Sequence, residues 1–133
     1  CIYSLIGYKM MYVKYNANPA GIITGGDCTI RAISKAAGLS WETVFDDLCR
    51  LAKSMYRMPS SNAVWTELIK DYGFQRFALC PDCLTVRGFC YENPWSTFIL
   101  GTGSHAVAVI DGCYYDIWDS GDEIPVYAFK KGR

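Results

Sequence analysis

The segment from His105 to Trp118 constrains this chain most: two apolar runs, His105 to Ile110 and Cys113 to Trp118, flank Asp111-Gly112. Asp-Gly between such runs signals a two-residue hairpin, because both turn residues must take positive φ, which Gly and Asp tolerate best. The turn fixes register as well as pairing. Ile110 then pairs with Cys113, and stepping outward along both strands sets His105 opposite Trp118. Asp116 and Ser120 fall on the same face as diagonal neighbours of His105, and Asp119 on the other. A three-residue loop or a bulge would shift parity and exchange the two aspartates, so both stay in view.

The rest of the chain reads as helices first and strands second. Asn16 to Asp27 (NANPAGIITGGD) is an extended loop. Asp27 is placed to cap a helix from Cys28 to Ala37 that ends at Gly38. Ser40 caps a second, with Glu42 in its first turn and Val44, Leu48 and Leu51 as its buried stripe, joined by Phe45, Ala52 and Met55. A third helix runs from about Asn62 to Tyr72, capped by Ser60 or Ser61 and stopped by Gly73. Strands are expected at Phe74 to Leu79, Thr97 to Leu100 and Ile124 to Phe129 beside the hairpin, and Thr85 caps a short helix ending near Glu92. Helices packed on an antiparallel sheet make an α+β fold.

One domain is expected over residues 1–133. The first residues lack the basic start and cleavage site of a signal peptide; the chain opens on Cys1 with Met10 and Met11 just downstream, so residues 1–13 read as a leader or non-native extension. The chain is 51% apolar and 15% aromatic, which excludes a disordered polypeptide. Thirteen basic and thirteen acidic residues exclude a broad basic face for nucleic acid, and Arg50, Lys53, Arg57 and Lys70 read as solvated helix surface. No apolar run reaches the roughly 18 to 20 residues of a membrane span.

Seven cysteines cannot all pair with one another, and at this length disulfides seldom replace a core. Mostly free thiols, a reducing compartment and cytoplasmic localisation are therefore expected. Cys80-Pro-Asp-Cys83 is the one close pair. A plain turn is its simplest reading; a zinc site would need two more ligands, with Cys90 as a third, and a redox motif would have to open a helix. No metal and no cofactor are expected.

Cys28 and His105 are the residues with chemistry to offer. Cys28 stands in the first turn of a helix after Gly-Gly-Asp, where unpaired amides and the helix dipole favour a thiolate. His105 is the only histidine, so any Cys-His mechanism within this chain must use it. A nucleophile on a helix end facing a base on a sheet suits acyl transfer: the imidazole takes the thiol proton and later protonates the leaving group. An inert core cysteine and a structural strand histidine are the alternatives. Arg31, one turn after Cys28, reads as an aid to the thiolate or a substrate carboxylate, or else as an ion-paired residue.

The stretches G-D-C-T-I-R-A-I-S, S-H-A-V-A-V-I-D-G and Y-Y-D-I-W-D-S resemble the papain-like cysteine peptidase superfamily. They are similar in particular to small bacterial and phage-associated proteins with D-C-x-x-R-A near the start and H-x-x-A-V-x-D-G-x-x-x-D-x-W-D near the end. The resemblance spans Asn16 to Lys131 and implies a papain-like fold, Cys28 as nucleophile, His105 as base and a peptide or protein substrate. A monomer is expected, and the charge balance and hydropathy argue against nucleic-acid and membrane partners. The chosen aspartate, Asp116 in the favoured register and Asp119 otherwise, would orient His105. Trp118 would shield that contact or wall the cleft. Papain itself carries a glutamine six residues before its nucleophile, where this chain has Ile22. The Cys28 amide remains one oxyanion donor, and Asn18 is the best side-chain candidate for a second, ahead of Asn16 and Thr24. Because the fold also hosts transglutaminase-like transferases, the acceptor need not be water; a non-enzymatic, phage-encoded binding protein is the competing expectation.

Overall fold

A computed structural model describes residues 2–3, 9–79 and 85–132; Cys80 and Cys83 lie outside them. In chain order the elements are β1 (Ile2–Tyr3), β2 (Lys9–Met10), β3 (Tyr12–Lys14), α1 (Cys28–Ala37), α2 (Trp41–Met55), α3 (Asn62–Asp71), β4 (Phe74–Phe77), α4 (Val86–Glu92), β5 (Thr97–Gly101), β6 (Ala106–Ile110), β7 (Cys113–Asp116) and β8 (Tyr127–Lys131). Most helices and strands of the C-terminal half form as their local signals dictate. Gly38 takes φ 71° and closes α1, its amide bonding the Ser34 carbonyl. Ser40 and Thr85 accept the Thr43 and Gly88 amides and so cap α2 and α4.

Six strands make one sheet in the order β3-β7-β6-β5-β8-β4, and β1 and β2 make a separate antiparallel pair. Asp111 and Gly112 both take positive φ, 49° and 76°. The β6–β7 register follows from them: Ile110 pairs with Cys113 and Ala108 with Tyr115. One pairing departs from the expected antiparallel sheet. β3 lies parallel to β7, so Tyr12 and Val13, within the expected leader, are hydrogen-bonded into the sheet. Its three residues carry too little pattern to be read locally.

α1 packs centrally. Its Ala32, Ile33 and Ala36 join Val44, Leu48 and Ala52 of α2, Val64, Trp65, Leu68 and Ile69 of α3, and Ile99, Ala108 and Phe129 of the sheet in one buried core. Full burial of a side chain such as Ile33 contributes about 1.5–3 kcal/mol, and enough of these contacts hold α1 to fix where its first residue sits. A second core, around Phe89, Phe98, Val107 and Tyr114, lies under α4.

Two local expectations are corrected. Phe45 does not complete the buried stripe of α2: it is 42% exposed and stacks on Trp41, ring centroids 5.1 Å apart. The last strand starts at Tyr127 rather than Ile124, because Ile124 and Val126 face solvent around Pro125. Among the described cysteines, Cys28 and Cys49 are free thiols and Cys113 is disulfide-bonded. Among the described residues no helix is long and apolar enough to cross a membrane.

Candidate active site

The loop before α1 delivers Cys28 in a fixed position. Asn18 and Gly21 close a turn, and Asn16 donates to the Ile22 carbonyl at 3.2 Å. Asp27 anchors the end of the loop. Its backbone carbonyl accepts the first bond of α1, from the Arg31 amide at 2.9 Å. Its side chain does not cap the helix as expected; it turns inward to accept from Trp41 Nε1 at 2.8 Å, from Asn18 Nδ2 at 3.2 Å and from the Arg31 guanidinium. Burial pushes the Asp27 carboxyl up, but the Trp41 and Asn18 bonds and the Arg31 charge outweigh it and hold the group below the usual carboxylate range. Arg31 is therefore spent on Asp27 and is not offered to the thiol.

His105 stands between β5 and β6 in a tight connection. The Thr102 amide bonds the His105 carbonyl at 2.8 Å and the Thr102 hydroxyl bonds it at 3.3 Å, which fixes the backbone beneath the ring. His105 Nε2 meets Asp116 Oδ2 at 2.5 Å. Asp116 is held in turn by the Ser120 hydroxyl at 2.7 Å and the Ile117 amide at 2.8 Å. With side-chain exposures of 9% for His105 and 2% for Asp116, water has little room to compete for this contact. The Trp118 ring lies 5.1 Å from the imidazole, tilted by 41°, and remains 44% exposed. It covers one face of His105 while bordering solvent.

Asp119 is engaged elsewhere. It accepts from the Tyr114 hydroxyl at 2.5 Å and from the Gly121 amide at 3.1 Å, and faces Arg87. The hairpin parity thus places Asp116, not Asp119, against His105.

Cys28 and His105 line one cavity of about 270 Å³ together with Gly26, Thr29, Asn62 and Tyr127. Nε2 is committed to Asp116, so Nδ1 is the ring nitrogen available to the thiol. Burial pushes the Cys28 thiol up, but its bond with His105, the Ala106 amide, the imidazolium charge and Thr29 overcome that and hold it below its ordinary value. Burial likewise pulls His105 down; Asp116 and then Cys28 reverse this and raise it to about 9. The two shifts thus run in opposite directions, the thiol down and the imidazole up.

Asn18 is not brought to Cys28. Its amide is bonded to Asp27, and it lines a neighbouring apolar cavity of about 390 Å³ walled by Ile22, Ile30, Trp41 and Phe45. The two cavities share Gly26, Thr29 and Ser60, so they adjoin. Ser120 sat on the expected face without an assigned role. Tyr127 was not singled out at all, although Gly101 at the end of an apolar strand is the kind of residue that marks a close approach.

Compared with known proteins, the chain matches no family model, no curated protein and no solved structure.

Proposed function

We propose that this chain is a cysteine hydrolase of the papain-like type, acting on an amide bond through a thioester intermediate. The observation that carries the reading is the meeting of Cys28 and His105 at one cavity, with His105 bonded to Asp116, the thiol lowered and the imidazole raised. A helix that presents the nucleophile, a histidine directly before a strand and a neighbouring strand that ends at the aspartate also follow the order of that superfamily.

In this mechanism the Cys28 sulfur attacks the carbonyl carbon, and the carbonyl π electrons move to oxygen. The Cys28 amide, unpaired at the start of α1, donates to that oxyanion. When the pair returns, the C–N bond breaks and the leaving nitrogen takes the proton from His105. Neutral His105 then removes a proton from water, whose oxygen attacks the thioester and releases Cys28. Asp116 holds the ring angle through Nε2 in both steps and favours the imidazolium.

The test is the pH dependence of Cys28 alkylation by iodoacetamide, followed by mass spectrometry of the labelled peptide. The rate should be half-maximal well below the pKa of about 8.5 of a free thiol, and His105→Ala should lower the rate at pH 7 by tenfold or more. Ordinary thiol reactivity at Cys28, unaffected by His105→Ala, would overturn the enzyme reading and favour a binding protein.

A further inference from the structure

Resting on that reading, the structure assigns a second reacting-centre donor that the loop before α1 does not supply: we propose that the Tyr127 hydroxyl hydrogen-bonds the substrate carbonyl oxygen as Cys28 attacks it. Three strands place it there. Tyr127 of β8 pairs with Gly101 of β5, and Gly101 pairs with Ala106 of β6, so the three residues form one row across the sheet. Ala106, at the far end of that row, lines the same cavity as Cys28 and Tyr127. Gly101 leaves the middle of the row empty, and the outer end of the Tyr127 ring lies there. A Cβ on Gly101 would collide with Cε2, Cζ and the hydroxyl of Tyr127. The hydroxyl is thereby carried across β5 toward Ala106 and the sulfur, instead of standing upright above its own strand.

The ring is held in that pose. Trp65 lies 5.8 Å away and Phe129 6.0 Å, and the Arg76 guanidinium sits 5.9 Å from its centroid. The hydroxyl itself makes no hydrogen bond among the described residues and borders the Cys28 cavity, so it is free to serve a ligand. Burial, opposed by Arg76 and reinforced by the Cys28 charge, raises its pKa above the ordinary tyrosine value, which keeps the proton on and makes it a donor at neutral pH. Asn62, the other cavity residue with an amide to offer, uses its oxygen on Trp65 Nε1.

Two reactions of Cys28 separate this role from a structural one. Acylation by p-nitrophenyl acetate forms the C–S bond, moves the carbonyl π pair to oxygen, then returns it as p-nitrophenolate leaves; this passes through an oxyanion. Displacement of iodide from iodoacetamide forms a C–S bond at a saturated carbon and has no oxyanion. Tyr127→Phe should slow the acylation burst by tenfold or more, since losing one oxyanion donor costs roughly a hundred- to a thousandfold in comparable sites. Its iodoacetamide rate at the same pH should stay within about twofold of wild type. An unchanged burst, or a burst that falls only with Asn62→Ala, overturns the assignment. So does a parallel fall in both reactions, because Tyr127 would then support the thiolate or the fold. A wild-type Cys28 that alkylates no faster than a free thiol would instead remove the Cys28–His105 reading, and this inference with it.

Discussion

Two buried aspartates flank Cys28 and His105, and they are built differently. Asp27 precedes Cys28 and accepts from Trp41, Asn18 and Arg31; Asp116 faces His105 and accepts from Ser120, the Ile117 amide and the imidazole. Each carboxylate is satisfied by three donors and shielded from water. The difference is the cation. A guanidinium keeps its proton at every working pH, so the Asp27–Arg31 pair is permanent and holds the loop that carries the nucleophile. An imidazole can lose its proton, so the Asp116–His105 contact is linked to the state of Cys28. One pair is a fastening; the other, in the proposed mechanism, takes part in the proton movement.

That contrast is most directly broken at Arg31. Arg31→Met leaves Asp27 buried without its charge partner, and should destabilise the fold by about 3–5 kcal/mol in urea denaturation. Molecules still folded should nevertheless keep Cys28 activated, because Arg31 does not reach the thiol. Loss of activation in the folded fraction would make Asp27–Arg31 part of the reacting system. The converse substitution, Asp116→Asn, should reduce Cys28 alkylation at pH 7 by about tenfold or more. It should also move the upper limb of the pH profile below 9, with a smaller stability cost than Arg31→Met.

The linkage between fold and protonation offers a subtler test. His105 is raised in the folded state, so its stabilisation is complete below the unfolded imidazole pKa of about 6.5 and is lost as pH rises through about 9. Cys28 is lowered, so its contribution runs the other way: present above the unfolded thiol value and lost as pH falls through the folded one. In the wild type the two offset across neutral pH. Cys28→Ala removes the offset, and its stability should fall as pH rises from 6.5 toward the pKa that Asp116 sets for His105. Denaturation midpoints across that range that decline no more steeply in Cys28→Ala than in wild type would contradict the coupling.

The smallest effects belong to the surrounding residues. Trp118→Ala uncovers one face of the imidazole and should lower the alkylation rate severalfold, through water competing for the His105–Asp116 contact. Asp119→Asn should change that rate by less than about twofold, because its partners are Tyr114 and Arg87. A larger loss in Asp119→Asn than in Asp116→Asn would reverse the assignment of the two aspartates.

Much of the site was legible because its determinants are local. Gly38 and Ser40 mark helix ends by backbone geometry that depends on few neighbours, and α1 begins at Cys28. Asp111-Gly112 fixes a turn, the turn fixes a register, and the register carries Asp116 and Trp118 to His105. Where local pattern was thin, expectation and structure part. Asp27 is a good helix cap by residue type, yet a buried Arg31 and Trp41 offer its carboxylate stronger partners than the helix amides. Asn18 was favoured for its place in the loop, and the same carboxylate draws its amide away from Cys28.

By itself the sequence determined the order of helices and strands that flank the reacting residues, the hairpin, and the single histidine on which any Cys-His chemistry must depend. These follow from dihedral preference, strand alternation and counting, which act within a few residues of chain. Only the tertiary structure decided that β3 joins the sheet in parallel, that Arg31 belongs to Asp27, and that Tyr127 lies over Gly101 and shares a cavity with Cys28. Each of those depends on groups brought together from distant segments, where packing and desolvation choose among partners that residue type alone leaves equal.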